Sequence, residues 1–254
     1  MLILELSSDN IITLKNELEN NNNYNKDILN SIKNKEIELK ELNEQINNLT
    51  KENDLLMSKS SYVLKDFPTY NQFPNYLNGC ESVALHLLLK YNGVEVSVED
   101  IVEKLKKGDR PFKRNGKLYG GDPLVEFVGD PRSKNGYGVY EKPIIDVANT
   151  YKNGIKNITG TNLIDVLKIV KSGKPVQVWA SINLNDTYIC STWTSTSTGV
   201  TINWLCGLHS LVVIGYTFDE IITSDPYTGK IEYYDKTQFE KIYNIYGKRA
   251  IYYE

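Results

Sequence analysis

The sequence predicts an α+β protein preceded by a separate helical segment. Residues 1–58 are rich in Asn, Glu, Lys and Leu and contain no Gly, Pro or Cys, unlike the rest of the chain. After them, helical patterns come first and strand-like runs fill the last third, which is the order expected of an α+β fold. The strand-like runs follow one another over short connections, so the sheet is expected to be antiparallel.

The N-terminal segment, 1–58, carries a heptad repeat whose register never slips. With Leu4 as position a, the a and d positions are Leu4, Ser7, Ile11, Leu14, Leu18, Asn21, Asn25, Ile28, Ile32, Lys35, Leu39, Leu42, Ile46, Leu49, Asn53 and Leu56. An apolar repeat of this length predicts a coiled coil. The polar run Asn20–Asn25 leaves two forms open: a helical hairpin that folds back there, or one helix with a polar layer. Both predict a homo-oligomer or a helical partner protein, and a lone solvated helix is the remaining alternative.

After a short linker, the globular domain is expected over 62–254. Its first helix opens at Cys80, and Ser97 with Asp100 forms the capping pattern of a second helix that ends at Gly108. Further helices are expected at 144–153, 161–173 and 236–246, and strands at 62–64, 174–183, 208–217, 220–224, 230–234 and 249–253. The Gly- and Pro-rich stretch 109–143 is expected to have little regular structure, as either a functional loop or an irregular insertion.

Composition excludes several classes of function. The net charge of -3 and the isoelectric point of about 5.6 give no electrostatic reason to bind nucleic acid or an anionic membrane. No apolar run reaches the length of a membrane span, and the start lacks the features of a signal peptide. The default expectation is a cytoplasmic protein, with secretion left open if the N-terminus is incomplete. With two histidines and no Cys-x-x-Cys pair, we expect no metal and no cofactor.

Cys80 is the first candidate for chemistry. It follows an Asn78-Gly79 turn signal and opens a helix, where unpaired N–H groups and the helix dipole favour a thiolate. Three cysteines are an odd and small number, so the sequence predicts no disulfide framework and at least one free thiol. A single Cys190–Cys206 bridge remains open.

A nucleophilic thiol needs a base, a group that orients the base, and donors for an oxyanion. His86 lies in the Cys80 helix six positions on and is interpreted as structural, which leaves His209 as the base. Asp225 ends the next strand and is the candidate orienting group, and Gln72 is the candidate oxyanion donor. Each residue has a plain alternative: a structural strand histidine, an Asp-Pro turn, and a loop glutamine.

The stretches NQFPNYLNGCESVAL, FVGDPRSKNGYGVYEKPI, KPVQVWAS, LHSLVVIGY and SDPYTGKIEYYDKTQFEKIY occur in this order. Together they resemble the stand-alone bacterial relatives of the bacteriocin-processing cysteine peptidases, family thirty-nine of the papain clan, over about residues 62 to 254. The resemblance implies a papain-like fold with Cys80 as nucleophile, His209 as general base and acid, Asp225 as its orienting group and Gln72 in the oxyanion hole.

There are two departures from the family. Leu208 stands where members often have Glu, and the stretch 185–207 is longer than expected, so that it would lie beside His209 and could cover the cleft. The expected function is a thiol-dependent peptidase that hydrolyses a peptide or isopeptide bond of a peptide or protein substrate. The alternatives are a transamidase that uses the same thioester and a non-catalytic peptide-binding module of the same fold.

Overall fold

The computed structural model describes residues 8–254, and it divides the chain into two compact units, 1–56 and 57–254. The described part of the first unit is helical, and helix α1 (Ser8–Ser58) has 51 residues. The core positions expected at Leu4 and Ser7 lie outside the described residues. Among the described helices, none is long and apolar enough to cross a membrane.

Helix α1 runs through Asn20–Asn25 without a break, so the helical-hairpin alternative is wrong. Asparagine is only a mildly unfavourable helix residue and keeps its backbone N–H, whereas a sharp break needs Gly or Pro, which the segment lacks. The apolar a and d side chains that the structure describes are exposed, from 40% for Ile28 to 64% for Leu49. The heptad face is therefore available to a partner helix.

In the second unit the helices are α2 (Cys80–Tyr91), α3 (Val98–Lys104), α4 (Glu141–Asn149), α5 (Leu163–Lys171) and α6 (Lys236–Ile245). The strands are β1 (Tyr62–Val63), β2 (Lys107–Gly108), β3 (Phe112–Arg114), β4 (Lys117–Gly120), β5 (Phe127–Val128), β6 (Ile155–Asn157), β7 (Val176–Ser181), β8 (Ile189–Ser195), β9 (Thr201–Leu205), β10 (Leu208–Tyr216), β11 (Glu220–Asp225), β12 (Lys230–Asp235) and β13 (Ala250–Tyr253). All the strands predicted in the last third are present with small changes of boundary, and the fold is α+β as expected.

The main sheet is antiparallel and has the strand order β12-β11-β10-β7-β13-β6, with β1 added along the end of β10. The central strands β7 and β10 are buried along their whole length because helices cover the sheet. Val212 of β10 packs with Val83 and Leu87 of α2 in one apolar cluster. This contact packs α2 against the middle of β10.

The stretch 109–143 is more regular than predicted. Strands β3 and β4 form a hairpin around Asn115 and Gly116, whose φ angles of 50° and 76° suit the two-residue turn that an Asn-Gly pair favours. The long stretch 185–207 also folds, as the hairpin β8–β9, and the two hairpins join in one four-stranded sheet through the parallel pair β4–β8. The expectation that 109–143 has little regular structure is therefore wrong for the β3–β4 hairpin.

The capping pattern of α3 is confirmed, because the Ser97 hydroxyl accepts from the Asp100 N–H and the Asp100 carboxylate accepts from the Ser97 N–H. The predicted end of this helix is wrong: α3 stops at Lys104, where Leu105 turns extended, and Gly108 lies in β2 instead.

Candidate active site

Cys80 is the first residue of α2, as the sequence predicts, and it is buried with 5% of its surface exposed. The preceding Gly79 lies so close to Tyr76 that an added Cβ would come within 2.7 Å of the Tyr76 Cβ, so the turn requires glycine. The Cys80 thiol donates to Glu81 Oε2 at 3.4 Å.

The surroundings of the Cys80 sulfur have opposing effects on the pKa of the thiol. Burial, followed by the charge of Glu81, raises the pKa of the thiol well above its ordinary value. A hydrogen bond from the backbone N–H of Ser210, the residue after His209, lowers it. The resting thiol is therefore protonated, and its sulfur lies against the strand that carries His209.

His209 and Asp225 form a buried pair across the neighbouring strands β10 and β11. His209 Nε2 lies 2.8 Å from Asp225 Oδ1, and each side chain is 1% exposed. Asp225 Oδ1 also accepts the Tyr227 N–H at 2.7 Å, and Oδ2 accepts the Tyr234 hydroxyl at 2.6 Å. Burial alone would raise the pKa of Asp225, but the bonds from His209, Tyr234 and Tyr227 outweigh it, so the net pKa is lowered.

An ionised Asp225 can only accept hydrogen bonds, so it fixes the tautomer of His209. Nε2 carries the proton that points at the carboxylate, and Nδ1 keeps a lone pair. A neutral imidazole with a free lone pair is a competent proton acceptor.

Gln72 lies in the loop before α2 and is 3% exposed. Its backbone N–H donates to the Pro226 carbonyl at 2.9 Å, which ties this loop to the turn that follows Asp225. Its side-chain Nε2 donates to the Leu77 carbonyl at 3.2 Å, three residues before Cys80. An amide nitrogen has two hydrogens, so one remains for another acceptor.

The structure thus connects the four predicted residues through short links. Gln72 is bonded to the turn after Asp225, Asp225 to His209, and the Cys80 sulfur to the backbone beside His209. His86 has a different setting: its Nδ1 lies 2.8 Å from the Val96 carbonyl oxygen, and burial lowers its pKa. His86 therefore has the contacts of a structural histidine, as predicted.

Two residues of this site were missed from the sequence. Glu81 is 1% exposed, and its Oε1 accepts the Val139 N–H at 2.9 Å while Oε2 faces the Cys80 thiol. Burial, only partly offset by its hydrogen bonds, raises the pKa of Glu81 to about 7. The sequence places Tyr234 in a strand and gives no sign that its hydroxyl bonds to Asp225. A charged residue at the start of an otherwise apolar helix was the available signal for Glu81.

A cleft of about 300 Å³ lies beside the chain segments that precede Cys80 and His209. It is lined by Asn78, Gly136, Tyr137, Ile182, Cys190, Ser191, Trp204, Cys206, Gly207 and Leu208. None of these lining residues carries a charge. The cleft therefore suits an uncharged segment of a ligand, and it is flanked by the residues just before Cys80 and just before His209.

A disulfide bond between Cys190 and Cys206 closes the β8–β9 hairpin, with Cα atoms 5.5 Å apart, so the bridge left open by the sequence is present. Both cysteines line the cleft. Cys80 is the free cysteine of the described residues. Within residues 8–254, no group of three or more His, Cys, Asp or Glu side chains could hold a metal ion.

Comparison with known proteins shows the family of the chain. The model of the Peptidase_C39 like family matches residues 64–251. An uncharacterized protein of Bacillus subtilis, YvpB, is 31% identical over 196 residues, which is 76% of each chain. A crystal structure of a candidate C39-like peptidase from Bacillus anthracis superimposes with a TM-score of 0.69 at 28% identity, covering 77% of this chain and 98% of that one. Because the family model spans nearly all of the second unit, the chain belongs to the Peptidase_C39 like family.

Proposed function

We propose that the protein is a thiol-dependent peptidase that hydrolyses peptide or isopeptide bonds. The observation that supports this most is the buried His209–Asp225 pair beside the strand residue whose N–H reaches the Cys80 sulfur. A structural histidine rarely needs an ionised, fully buried carboxylate that three donors hold in place. Nucleophile, base and orienting group of a cysteine peptidase are all available here.

In the proposed reaction, His209 Nδ1 takes the proton of the Cys80 thiol as the sulfur attacks the carbonyl carbon. The free hydrogen of Gln72 Nε2 and the backbone N–H of Cys80 donate to the oxyanion. The C–N bond then breaks, and the imidazolium gives its proton to the leaving amine. His209 next takes a proton from a water molecule, whose oxygen attacks the thioester carbonyl. The C–S bond then breaks, the carboxylic acid leaves, and the imidazolium returns its proton to the Cys80 sulfur.

Burial and the Glu81 charge raise the pKa of Cys80, so we place proton transfer at the moment of attack rather than in the resting enzyme. Asp225 stabilises the transient imidazolium, because its carboxylate is the partner of Nε2–H. The uncharged cleft beside Leu208 would receive the part of the peptide next to the scissile bond.

Two other functions use the same fold. A transamidase would intercept the thioester with an amine instead of water, and the mass of the product separates the two reactions. A non-catalytic peptide-binding module would keep the cleft but show no thiol reactivity, and an electrophilic peptide probe separates it from an enzyme. The buried pair of His209 and Asp225 favours the enzyme, because a binding module gains nothing from it.

Iodoacetamide labelling tests the proposal, because Cys80 is the free cysteine of the described residues and intact mass reports a single adduct. We expect His209→Ala to lower the labelling rate by about tenfold or more, because His209 takes the thiol proton at the moment of attack. The matched control is His86→Ala, which should change the rate by less than about twofold because His86 bonds to the Val96 carbonyl and packs on the Tyr70 ring. A labelling rate that His209→Ala leaves unchanged would refute the enzyme.

A further inference from the structure

Glu81 has a contact that the proposed reaction does not use. Its two carboxyl oxygens have separate partners: Oε1 accepts the Val139 N–H at 2.9 Å, and Oε2 lies 3.4 Å from the Cys80 sulfur. The Val139 carbonyl in turn accepts from the ring N–H of Trp179 at 2.8 Å, which holds the segment in place. The carboxyl is therefore fixed at the thiol and cannot turn away to solvent.

The backbone of Glu81 is held as firmly as its side chain. Its carbonyl accepts from Gln177 Nε2 at 3.0 Å, and Gln177 also bonds to the Ser210 hydroxyl at 3.0 Å. Across from the carboxyl, Gly138 leaves no spare room, since a Cβ there would lie 2.7 Å from Glu81 Oε1. One carboxyl oxygen is thus directed at the sulfur by packing on both sides.

The ionisable groups around this pair are few. His209 on β10 acts on Glu81, Asp225 on β11 acts on Cys80, and Tyr140 before α4 feels the charge of Glu81. Tyr246, after α6, interacts with Cys80, and Arg249 lies over the Tyr140 ring and is paired with Glu141. Of these ionisable groups, Cys80 is the one that a hydrogen bond joins to Glu81.

The two protonation states of Glu81 act on the sulfur in opposite ways. As a carboxylate, Oε2 can only accept, so it holds the S–H proton and repels a thiolate. As a neutral acid, its O–H can donate to a thiolate, a charge-assisted hydrogen bond that stabilises the nucleophile. Burial places the change between these states near neutral pH, since the pKa of Glu81 is about 7.

We propose that Glu81 is a positioning residue that controls the proton of Cys80, favouring the nucleophilic thiolate when the carboxyl is neutral and the inert thiol when it is ionised. This inference rests on the proposed function, in which Cys80 is the nucleophile. It predicts that the thiolate fraction of Cys80 stops rising with pH once Glu81 ionises, so that reactivity above neutrality is lower than it would be without the Glu81 charge. His209 and Asp225 supply the catalytic proton transfer, and Glu81 decides how readily it begins.

The test is the pH dependence of iodoacetamide labelling in the full chain, from pH 5.5 to pH 8.5, for the wild type and Glu81→Gln. A glutamine keeps an oxygen for the Val139 N–H and offers an N–H to the sulfur at every pH, so it imitates the neutral acid. We expect the wild-type rate to rise with pH below about 7 and to flatten above it, because the proton is then lost from Glu81 and not from the thiol, whereas the variant rate should go on rising. At pH 8 the variant should label about tenfold faster, the effect of one unit of thiol pKa.

Glu126→Gln is the matched control, because Glu126 is another buried glutamate but pairs with Lys106 instead of the thiol. It should keep the wild-type profile. If Glu81→Gln also keeps the wild-type profile while His209→Ala slows the labelling, the role of Glu81 is refuted and the peptidase proposal stands. If His209→Ala labels as fast as the wild type at every pH, the peptidase proposal itself fails.

A carbon-13 NMR titration of the Glu81 carboxyl in the folded wild type keeps the inference testable if the variant does not fold. We expect a midpoint near 7, moved upward in Cys80→Ala by loss of the thiol donor. A midpoint at the ordinary value of a glutamate would overturn the inference.

Discussion

Tyr234 donates its hydroxyl to Asp225 Oδ2 at 2.6 Å, on the opposite side of the carboxylate from His209. Burial, and then the bond to Asp225, raises the pKa of Tyr234, so the phenol stays protonated and remains a donor. Asp225 is thus held by β10 through His209 and by β12 through Tyr234. The orientation of the imidazole depends on three strands at once.

Removing this donor should weaken the pair. In Tyr234→Phe we expect the pKa of Asp225 to rise, because a bond that lowers it is lost. A lowered acid pKa adds stability that is complete above the unfolded pKa and is lost as pH falls through the folded pKa. The variant should therefore lose stability at a higher pH on acidification, and by about 1–2 kcal/mol at neutral pH.

Urea unfolding and the labelling rate of Cys80 across acid pH measure both effects. Tyr233→Phe is the control, because that neighbouring tyrosine is 57% exposed and lacks the bond to Asp225. The prediction is wrong if the stability of Tyr234→Phe and that of the wild type fall over the same range of acid pH.

Ionised Glu81 should lower the free energy of unfolding at alkaline pH. Its folded pKa of about 7 lies above the ordinary value of 4.5, so the folded state binds the proton more tightly and stability falls as pH rises between these values. The difference corresponds to about 3 kcal/mol as an upper figure, at about 1.4 kcal/mol per pKa unit. Glu81→Gln should therefore unfold at a higher urea concentration than the wild type at pH 8, with the gap closing by pH 4.5. A gap that does not change with pH would contradict this.

The disulfide between Cys190 and Cys206 should affect the binding of a peptide substrate more than the reactivity of the Cys80 thiol. Replacing both cysteines by Ser opens a loop of 16 residues and should lower the free energy of unfolding by about 3 kcal/mol. The Cys206 carbonyl still accepts from Thr187 and Tyr246, so the base of the hairpin should stay in place. We expect KM for a peptide substrate to rise while the iodoacetamide rate of Cys80 stays within about twofold. A matching fall in the labelling rate would show that the bridge supports the catalytic residues instead.

We propose that α1 assembles copies of the chain or docks to another helical protein. Its apolar a and d side chains are exposed in the described residues, and such a stripe is stable in water only when a partner covers it. Sedimentation of the full chain against a chain that starts at Met57 tests the homo-oligomer. Met57 is kept because it is buried in the second unit, where its sulfur contacts Tyr216 and Lys171.

The full chain should sediment as an oligomer and the shortened chain as a monomer. Leu39→Glu with Leu42→Glu should break the oligomer without removing the helix, because both are exposed core positions of the heptad. Glu44→Lys, at an f position that faces away from the a and d seam, is the control. Monomers for every chain would remove the homo-oligomer and leave the helical partner.

Features that depend on neighbours along the chain could be predicted from the amino-acid sequence. The heptad register required a helix, the Asn-Gly turn placed Cys80 at a helix start, and β-branched runs located the strands. His209 and Asp225 were found because adjacent antiparallel strands bring residues close in sequence close in space. The Asn115-Gly116 hairpin was also readable from local sequence, although it was missed.

Features that depend on distant segments could be seen only in the folded chain. A charge at the start of an apolar helix is a signal for Glu81, but it does not show that the carboxyl is buried; the burial comes from Val139, 58 residues away, and from the sheet beside it. The pairing of β4 with β8 and the closure of the Cys190–Cys206 bridge likewise depend on how the chain folds back. A carboxyl changes its pKa when burial removes water and packing fixes one donor against it, and those two conditions are properties of the packed fold.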